Sequence, residues 1–247
     1  MYRKCDASSP LFVCPAITNQ AIGKEVHMYY SNRKRDVAVS QRVEYIMDSM
    51  YSMLGWDSWR PHNKEWDIHG IDVVLGMPGV TQKLWVDEKA ATKYWNSNLG
   101  TYACELSCKT NKNGYGWFAK ENNGFMMNTH LLLVWVRALE PSLRHISSLE
   151  FVVINKHDLQ KYFMLATGMQ ETDDTLEFLE HIQWNDQKRY VVNEDLALRC
   201  SDIYPEYPVN AVFSKEILKK LAIDGGTFSR FEVRDALREA RAKKQAR

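Results

Sequence analysis

Ile71-Asp72-Val73-Val74-Leu75 leads through the Gly/Pro turn Gly76–Gly79 into Trp85-Val86-Asp87-Glu88-Lys89-Ala90-Ala91. An apolar strand carrying one acid is thus followed by a second strand carrying acid-x-lysine. Side chains alternate faces along a strand, so Asp87 and Lys89 point one way and Glu88 the other. If the two strands pair as a hairpin, Asp72 lies beside them. Two carboxylates and an ammonium on one patch are costly unless something uses them. A divalent cation such as Mg²⁺ takes oxygen ligands and keeps open water positions. It can lower the pKa of a bound water and stabilise charge on a phosphate. A neighbouring lysine adds a point charge or orients the water. The alternative is a plain cross-strand ion pair worth at most ~1 kcal/mol.

The pattern resembles the PD-(D/E)xK, or restriction-endonuclease-like, nuclease superfamily. The resemblance places Asp72 at the first acid, Asp87 at the second and Lys89 at the lysine, and the fifteen residues from Asp72 to Asp87 suit its hairpin. Two positions depart from the pattern. Ile71 stands where proline is usual, and Glu88 stands where an apolar, core-facing residue is usual, so either acid of the pair can be a metal ligand. Downstream, Asn98 to Ser107 reads as a third strand bearing Glu105. It leads through Asn113-Gly114-Tyr115-Gly116-Trp117-Phe118 to the strand Thr129–Val136. This order is similar to a branch of the superfamily found in phage and bacterial genomes. The resemblance covers roughly residues 40–140 and touches Tyr207-Pro208-Val209-Asn210-Ala211-Val212.

A helix is expected over Val37–Leu54, where Val43, Ile46, Met47, Met50, Met53 and Leu54 recur at helical spacing as a core stripe. Glu44 borders that stripe, sharing a face with Asp48. A helix ahead of the sheet often lends such an acid in this superfamily, although a solvated carboxylate explains it equally simply. Beyond the four strands near 71–76, 83–90, 101–107 and 129–136, the pattern predicts a strand at Leu149–Ile154 and a helix from Lys156 to Ala166. Asp174–Ile182 and Lys215–Ala222 read as helices, and Leu196–Cys200 and Asn210–Phe213 as short strands. The segment around Gly55, Trp56, Trp59, Pro61 and Trp66 reads as an aromatic-rich turn. One domain over 1–247 is expected, with a core of about 37–140, a C-terminal α+β elaboration of about 145–247 and a weak boundary near 145.

The 247 residues are 45% hydrophobic and 26% charged, ordinary for a soluble globular protein. A formal net charge of +1 supplies no global field for nucleic acid, so any contact must use a local patch. Asn32-Arg33-Lys34-Arg35 is one candidate, and the Ala/Arg/Glu-rich tail from Arg234 to Arg247 is the other. Cys5, Cys14, Cys104, Cys108 and Cys200 are odd in number and show no zinc spacing, which favours free thiols and a reducing cytoplasm. No stretch reads as a signal peptide or a membrane span. Trp56, Tyr94, Trp95, Trp117 and Phe118 could stack on unpaired bases, but eight tryptophans are also what a filled core consumes. His69 and His130 read as turn and strand residues, and a hard oxygen site does not need them.

The fold class expected is α/β, a restriction-endonuclease-like core with a central mixed β-sheet flanked by helices. The resemblance implies a Mg²⁺- or Mn²⁺-dependent nuclease that hydrolyses phosphodiester bonds in DNA with metal-activated water. Asp72 and Asp87 hold the ion, Glu105 assists, the Glu88 carbonyl adds a ligand, Lys89 positions the water, and Glu44 contributes from the helix. The implied partner is nucleic acid, DNA before RNA, with no membrane and with room for a homodimer. A nuclease acting on RNA or on branched or single-stranded DNA stays open. So does a binding or assembly module with vestigial acids, since fold does not fix function. A zinc-dependent protein is the third reading, and metal dependence separates the three.

Overall fold

The computed structural model describes residues 43–245, apart from 62, 112, 120–126, 144, 171–173 and 203–205. Within it the apolar patterning resolves into an α/β fold whose mixed sheet is flanked by helices. Helix α1 covers 43–53 and buries Val43, Ile46, Met47, Met50 and Tyr51. Gly55, at φ +72°, turns the chain out of the helix in the left-handed conformation that favours glycine. The buried stripe ends there: Met53, expected in it, is 45% exposed. The expected first turns, 37–42, lie outside the described residues, as do Cys5, Cys14 and the basic cluster at 32–35.

The chain then forms β1 (Asp57–Trp59), α2 (Lys64–Ile68), β2 (Val73–Gly76) and β3 (Leu84–Ala91). A short 3-10 turn (Thr92–Tyr94) precedes β4 (Thr101–Ser107), β5 (His130–Ala138) and β6 (Ile146–Asn155). After them come α3 (Lys156–Thr167), α4 (Thr175–Glu180), β7 (Arg189–Val191), β8 (Leu196–Cys200) and β9 (Val209–Ser214). Helix α5 (Lys215–Leu221), β10 (Ala222–Ser229) and α6 (Arg230–Gln245) close the chain. Side chains cap the later helices: Asn155 at α3, Asp174 at α4 and Ser214 at α5 each accept backbone N–H of the first turn.

Six strands make the main sheet in the order β1-β2-β3-β5-β6-β10. Only β3 and β5 run parallel; the other pairs are antiparallel, so the sheet is mixed. β6 and β10 belong to this sheet, which therefore continues past residue 145. The strand bearing Glu105 does not: β4 pairs with β9 in a second sheet, β4-β9-β8-β7. Strands β1, β7 and β10 and helix α2 were not expected from the sequence. β1, β7 and α2 are too short to show a period, and β10 carries two glycines.

The core follows from the register. β5 is buried along nearly its whole length, as its continuous apolar run demands of a strand covered on both faces. One face presents Leu131, Leu133 and Trp135 to Tyr102, Cys104, Leu106, Leu198 and Phe213 of the second sheet, and to Leu159 and Phe163 of α3. On the other face Phe151 packs against Trp56 and stacks on Phe228. Helix α6 buries Val233 and Ala236, and no described helix is long and apolar enough to cross a membrane.

One glycine ties the second sheet to the loop that follows it. The Gly116 N–H donates to the Leu106 carbonyl (2.9 Å), and a Cβ at Gly116 would collide with the backbone carbonyl of Glu105. Gly116→Ala is therefore expected to cost about 2–3 kcal/mol, read as a lowered thermal midpoint. Gly100→Ala, where a Cβ meets nothing within 4 Å, should stay within about 0.5 kcal/mol of wild type.

Candidate active site

Strand β3 is paired on both sides yet carries three ionisable residues in succession. Its register with β2 matches Val73 to Val86, and the Asp72 N–H donates to the Val86 carbonyl (2.9 Å), which puts Asp72 directly opposite Asp87. The two carboxylates therefore share a face, as the hairpin expectation required. Lys89 pairs with Asp87 Oδ1, and its Nζ lies 3.9 Å from Asp72 Oδ2, which in turn accepts the Glu88 N–H at 2.8 Å. Asp87 is 1% exposed, whereas the Asp72 and Lys89 side chains keep 30% and 34% of their surface. The cluster thus opens to solvent on the Asp72–Lys89 side and is closed beneath Asp87.

Asp87 is the energetically exposed member. Among the described residues its Oδ2 is buried without a hydrogen-bond partner, a condition that costs at least ~1–3 kcal/mol for a polar atom and more for a charged one. Burial pushes its pKa up to about 6; the Lys89 ammonium opposes that rise and the Asp72 carboxylate, close enough to share a proton, adds to it. Burial pulls the Lys89 pKa down, but Asp87 and Asp72 outweigh it and hold the amine above its ordinary value. Lys89 is consequently a fixed cation at neutral pH rather than a base.

Glu88 lies on the opposite face of β3 from Asp87 and Lys89. Its carboxylate accepts from the Tyr51 hydroxyl of α1 and pairs with Arg60 at 2.8 Å. Arg60 also binds Asp48 (2.7 Å) and reaches the backbone carbonyls of Asp72 and Glu44, both at 3.5 Å. The Glu88 side chain thereby belongs to a buried network beneath α1, on the face away from Asp72 and Asp87. Glu44 sits half-buried on the same helix, and its backbone carbonyl accepts from Arg60.

The loop after β4 supplies Trp117, already noted in the sequence, while Asn128, and Lys156 at the start of α3, were not singled out there. Lys89 Nζ lies 5.6 Å from the Trp117 ring centroid. The Trp117 carbonyl accepts from Lys156 Nζ (2.8 Å), which also reaches Asn128 Oδ1 at 3.4 Å. Lys156 is only 7% exposed; burial lowers its pKa to about 8, with Asp87 opposing and Lys89 reinforcing the shift. A cation at the first position of a helix works against the macrodipole, and that was the one local sign that an anionic environment lay near. Asn128 Nδ2 is the second buried polar atom without a partner among the described residues.

Glu105 is half-buried on β4. Burial and Glu206 push its pKa up to about 7, while Lys89 and the Trp117 backbone N–H oppose the rise. Glu105 thus feels the charge of Lys89. Yet no three His, Cys, Asp or Glu side chains among the described residues converge as a ligand set, so Glu105 does not complete one with Asp72 and Asp87. His130 is buried, hydrogen-bonded through Nδ1 to Thr129 Oγ1 (2.8 Å). The His69 carbonyl accepts the Met127 N–H (2.9 Å). Of the aromatics, Trp56 and Phe118 are core, Tyr94 is exposed and Trp117 faces Lys89. Cys104 and Cys108 are buried and outside any disulfide, and Cys200 is half-buried. No family model matches the chain, and neither a curated protein nor a solved structure gives a significant match.

The donor set fits a small hard cation. Mg²⁺ is commonly held by one or two carboxylates, with waters and substrate phosphate completing its shell. Asp72 and Asp87 supply the two carboxylates, and the unpartnered Asp87 oxygen supplies a reason for a cation to bind.

Lys156 gives this electrostatic picture a test in stability. The unfolded amine keeps its proton to near its ordinary 10.5, and the folded one loses it near 8. Between those values the unfolded state binds more protons, so stability from this group rises with pH and is lowest below 8, where the buried amine is charged. Wild type should gain up to about 3 kcal/mol on Lys156→Met from pH 7.5 to 10.5, measured by urea unfolding. Parallel curves would show that Lys156 is not perturbed.

Proposed function

We propose that the chain is a metal-dependent phosphodiesterase acting on nucleic acid, with DNA preferred to RNA, and that its core is restriction-endonuclease-like. One observation carries the reading: two cross-strand carboxylates, one with a buried unpartnered oxygen, lie beside a permanently charged lysine on a single solvent-open patch. Asp72 and Asp87 would hold a Mg²⁺ or Mn²⁺ ion, with the Glu88 backbone carbonyl as an added ligand. When bound, such an ion makes water a competent nucleophile at neutral pH and offsets charge on the phosphate.

The chain's own side chains do the rest. Lys89 faces the reacting phosphate as a point charge that strengthens as negative charge develops on the non-bridging oxygens. Asp87 fixes the ammonium, and the Trp117 ring covers its side. Glu105 acts at longer range, by holding the Trp117 backbone through its carboxylate. Hydrolysis by water leaves no covalent enzyme intermediate.

Nicking of supercoiled plasmid, and cleavage of linear duplex, single-stranded DNA and RNA, should require Mg²⁺ or Mn²⁺ and stop with EDTA. Asp87→Asn should abolish cleavage, and Lys89→Ala should slow it by about 100-fold or more. Cleavage that survives both substitutions would contradict the assignment. A folded wild type that binds DNA but cleaves none of the four substrates would favour the binding-module reading.

A further inference from the structure

The strand pairing that sets Asp72 against Asp87 also builds an aromatic row beside them. In register, Trp59 of β1 faces Val74 of β2, and Val74 faces Trp85 of β3. Directly opposed residues share a face, and positions two apart along a strand share it as well. Trp59, Val74 and Trp85 therefore lie on the same face as Asp72 and Asp87, one residue pair away, about 7 Å along the strands. Trp66 of α2 fills the space between the two indoles, with ring centroids 5.5 Å from Trp59 and 6.0 Å from Trp85, both edge-to-face. Trp85, Asp87 and Lys89 follow one another on a single face of β3, and Lys83, exposed, immediately precedes the strand.

Packing alone does not account for this row. Val74 is already buried, at 7% exposure. Trp59 nonetheless keeps 54% of its surface in water at the edge of the sheet, and Trp85 is only half-buried. Large indoles held against a neighbouring ring and left partly open to solvent suit the flat apolar surface of a nucleobase, whatever its identity. The charge order fits the same ligand: cations at both ends for backbone phosphates, and the acid pair between them.

We propose that Trp59, Trp66 and Trp85 form a stacking shelf for an unpaired nucleobase next to the phosphate bound at Asp72, Asp87 and Lys89. The shelf rests on the phosphodiesterase reading for its neighbour, but not for its binding. It selects strands whose bases are free at that position, such as single strands, flaps or frayed ends, over uniform duplex.

The test is binding without turnover. A fluorescently labelled single-stranded oligonucleotide, the same strand with abasic positions, and its duplex are titrated with the full chain in EDTA and followed by anisotropy. The wild type should bind the intact single strand at least about fivefold more tightly than the abasic strand, and more tightly than the duplex. Trp59→Ala should erase the difference between intact and abasic strands, and Trp59→Phe should retain most of it. Trp59 is exposed enough that these variants should fold, which thermal melts would check. Equal binding of intact and abasic strands, a preference unchanged in Trp59→Ala, or no binding of any strand would overturn the shelf. Base-dependent binding without cleavage would leave the shelf standing and remove the nuclease reading. Cleavage that ignores the indoles would do the reverse.

Discussion

Three consecutive ionisable residues in a strand paired on both edges have to be taken out of water, and the surroundings of β3 are arranged around that cost. Alternation splits the problem in two. Glu88 enters the layer beneath α1, where Tyr51 and Arg60 satisfy it and Arg60 is in turn held by Asp48. Such a closed network contributes little net stability compared with a well-packed apolar core, but breaking it from one side is expensive. Asp87 enters the other layer at the rim of the core between the sheets, and only one of its two oxygens is met, by Lys89. The acid on one face is neutralised and silent. The acid on the other is left incomplete, and incompleteness in a buried carboxylate is what a cation can relieve.

The second sheet supplies the confinement. By leaving the main sheet, β4 and its loop bring Trp117 against Lys89, and Lys156 of α3 fastens that loop through the Trp117 carbonyl. Two lysines thus stand near Asp87 in different states. Lys89 is held charged by two carboxylates, while Lys156 is buried with a lowered pKa. The contrast follows from geometry: one ammonium has an ion-pair partner, and the other has a carbonyl and an amide oxygen.

Much of this was legible in the residues. Period-two alternation placed Asp72, Asp87 and Lys89 on one face and Glu88 on the other, and the apolar run Thr129–Val136 marked the strand that is β5. What was not legible depended on partners distant in sequence. Nothing near Arg60 announces that it will neutralise Glu88, and β1, only three residues long, was hidden in an aromatic-rich turn. The row of Trp59, Val74 and Trp85 exists only once the register of three strands is known. Glu105 illustrates the converse: a strand with an acid was correctly expected, but local pattern does not say which sheet a strand joins. Its pairing with β9 keeps that carboxylate from completing a three-ligand cluster with Asp72 and Asp87.

The central claim is that Asp72 and Asp87 form a cation site because Asp87 is buried and unfinished. Isothermal titration of Mn²⁺ into wild type, Asp72→Asn and Asp87→Asn tests it without any assumption about substrate. Saturable binding to wild type that is lost in both variants is expected, while their thermal unfolding shows that the fold persists. Wild type that takes up no Mn²⁺, or variants that bind it as tightly as wild type, would contradict it.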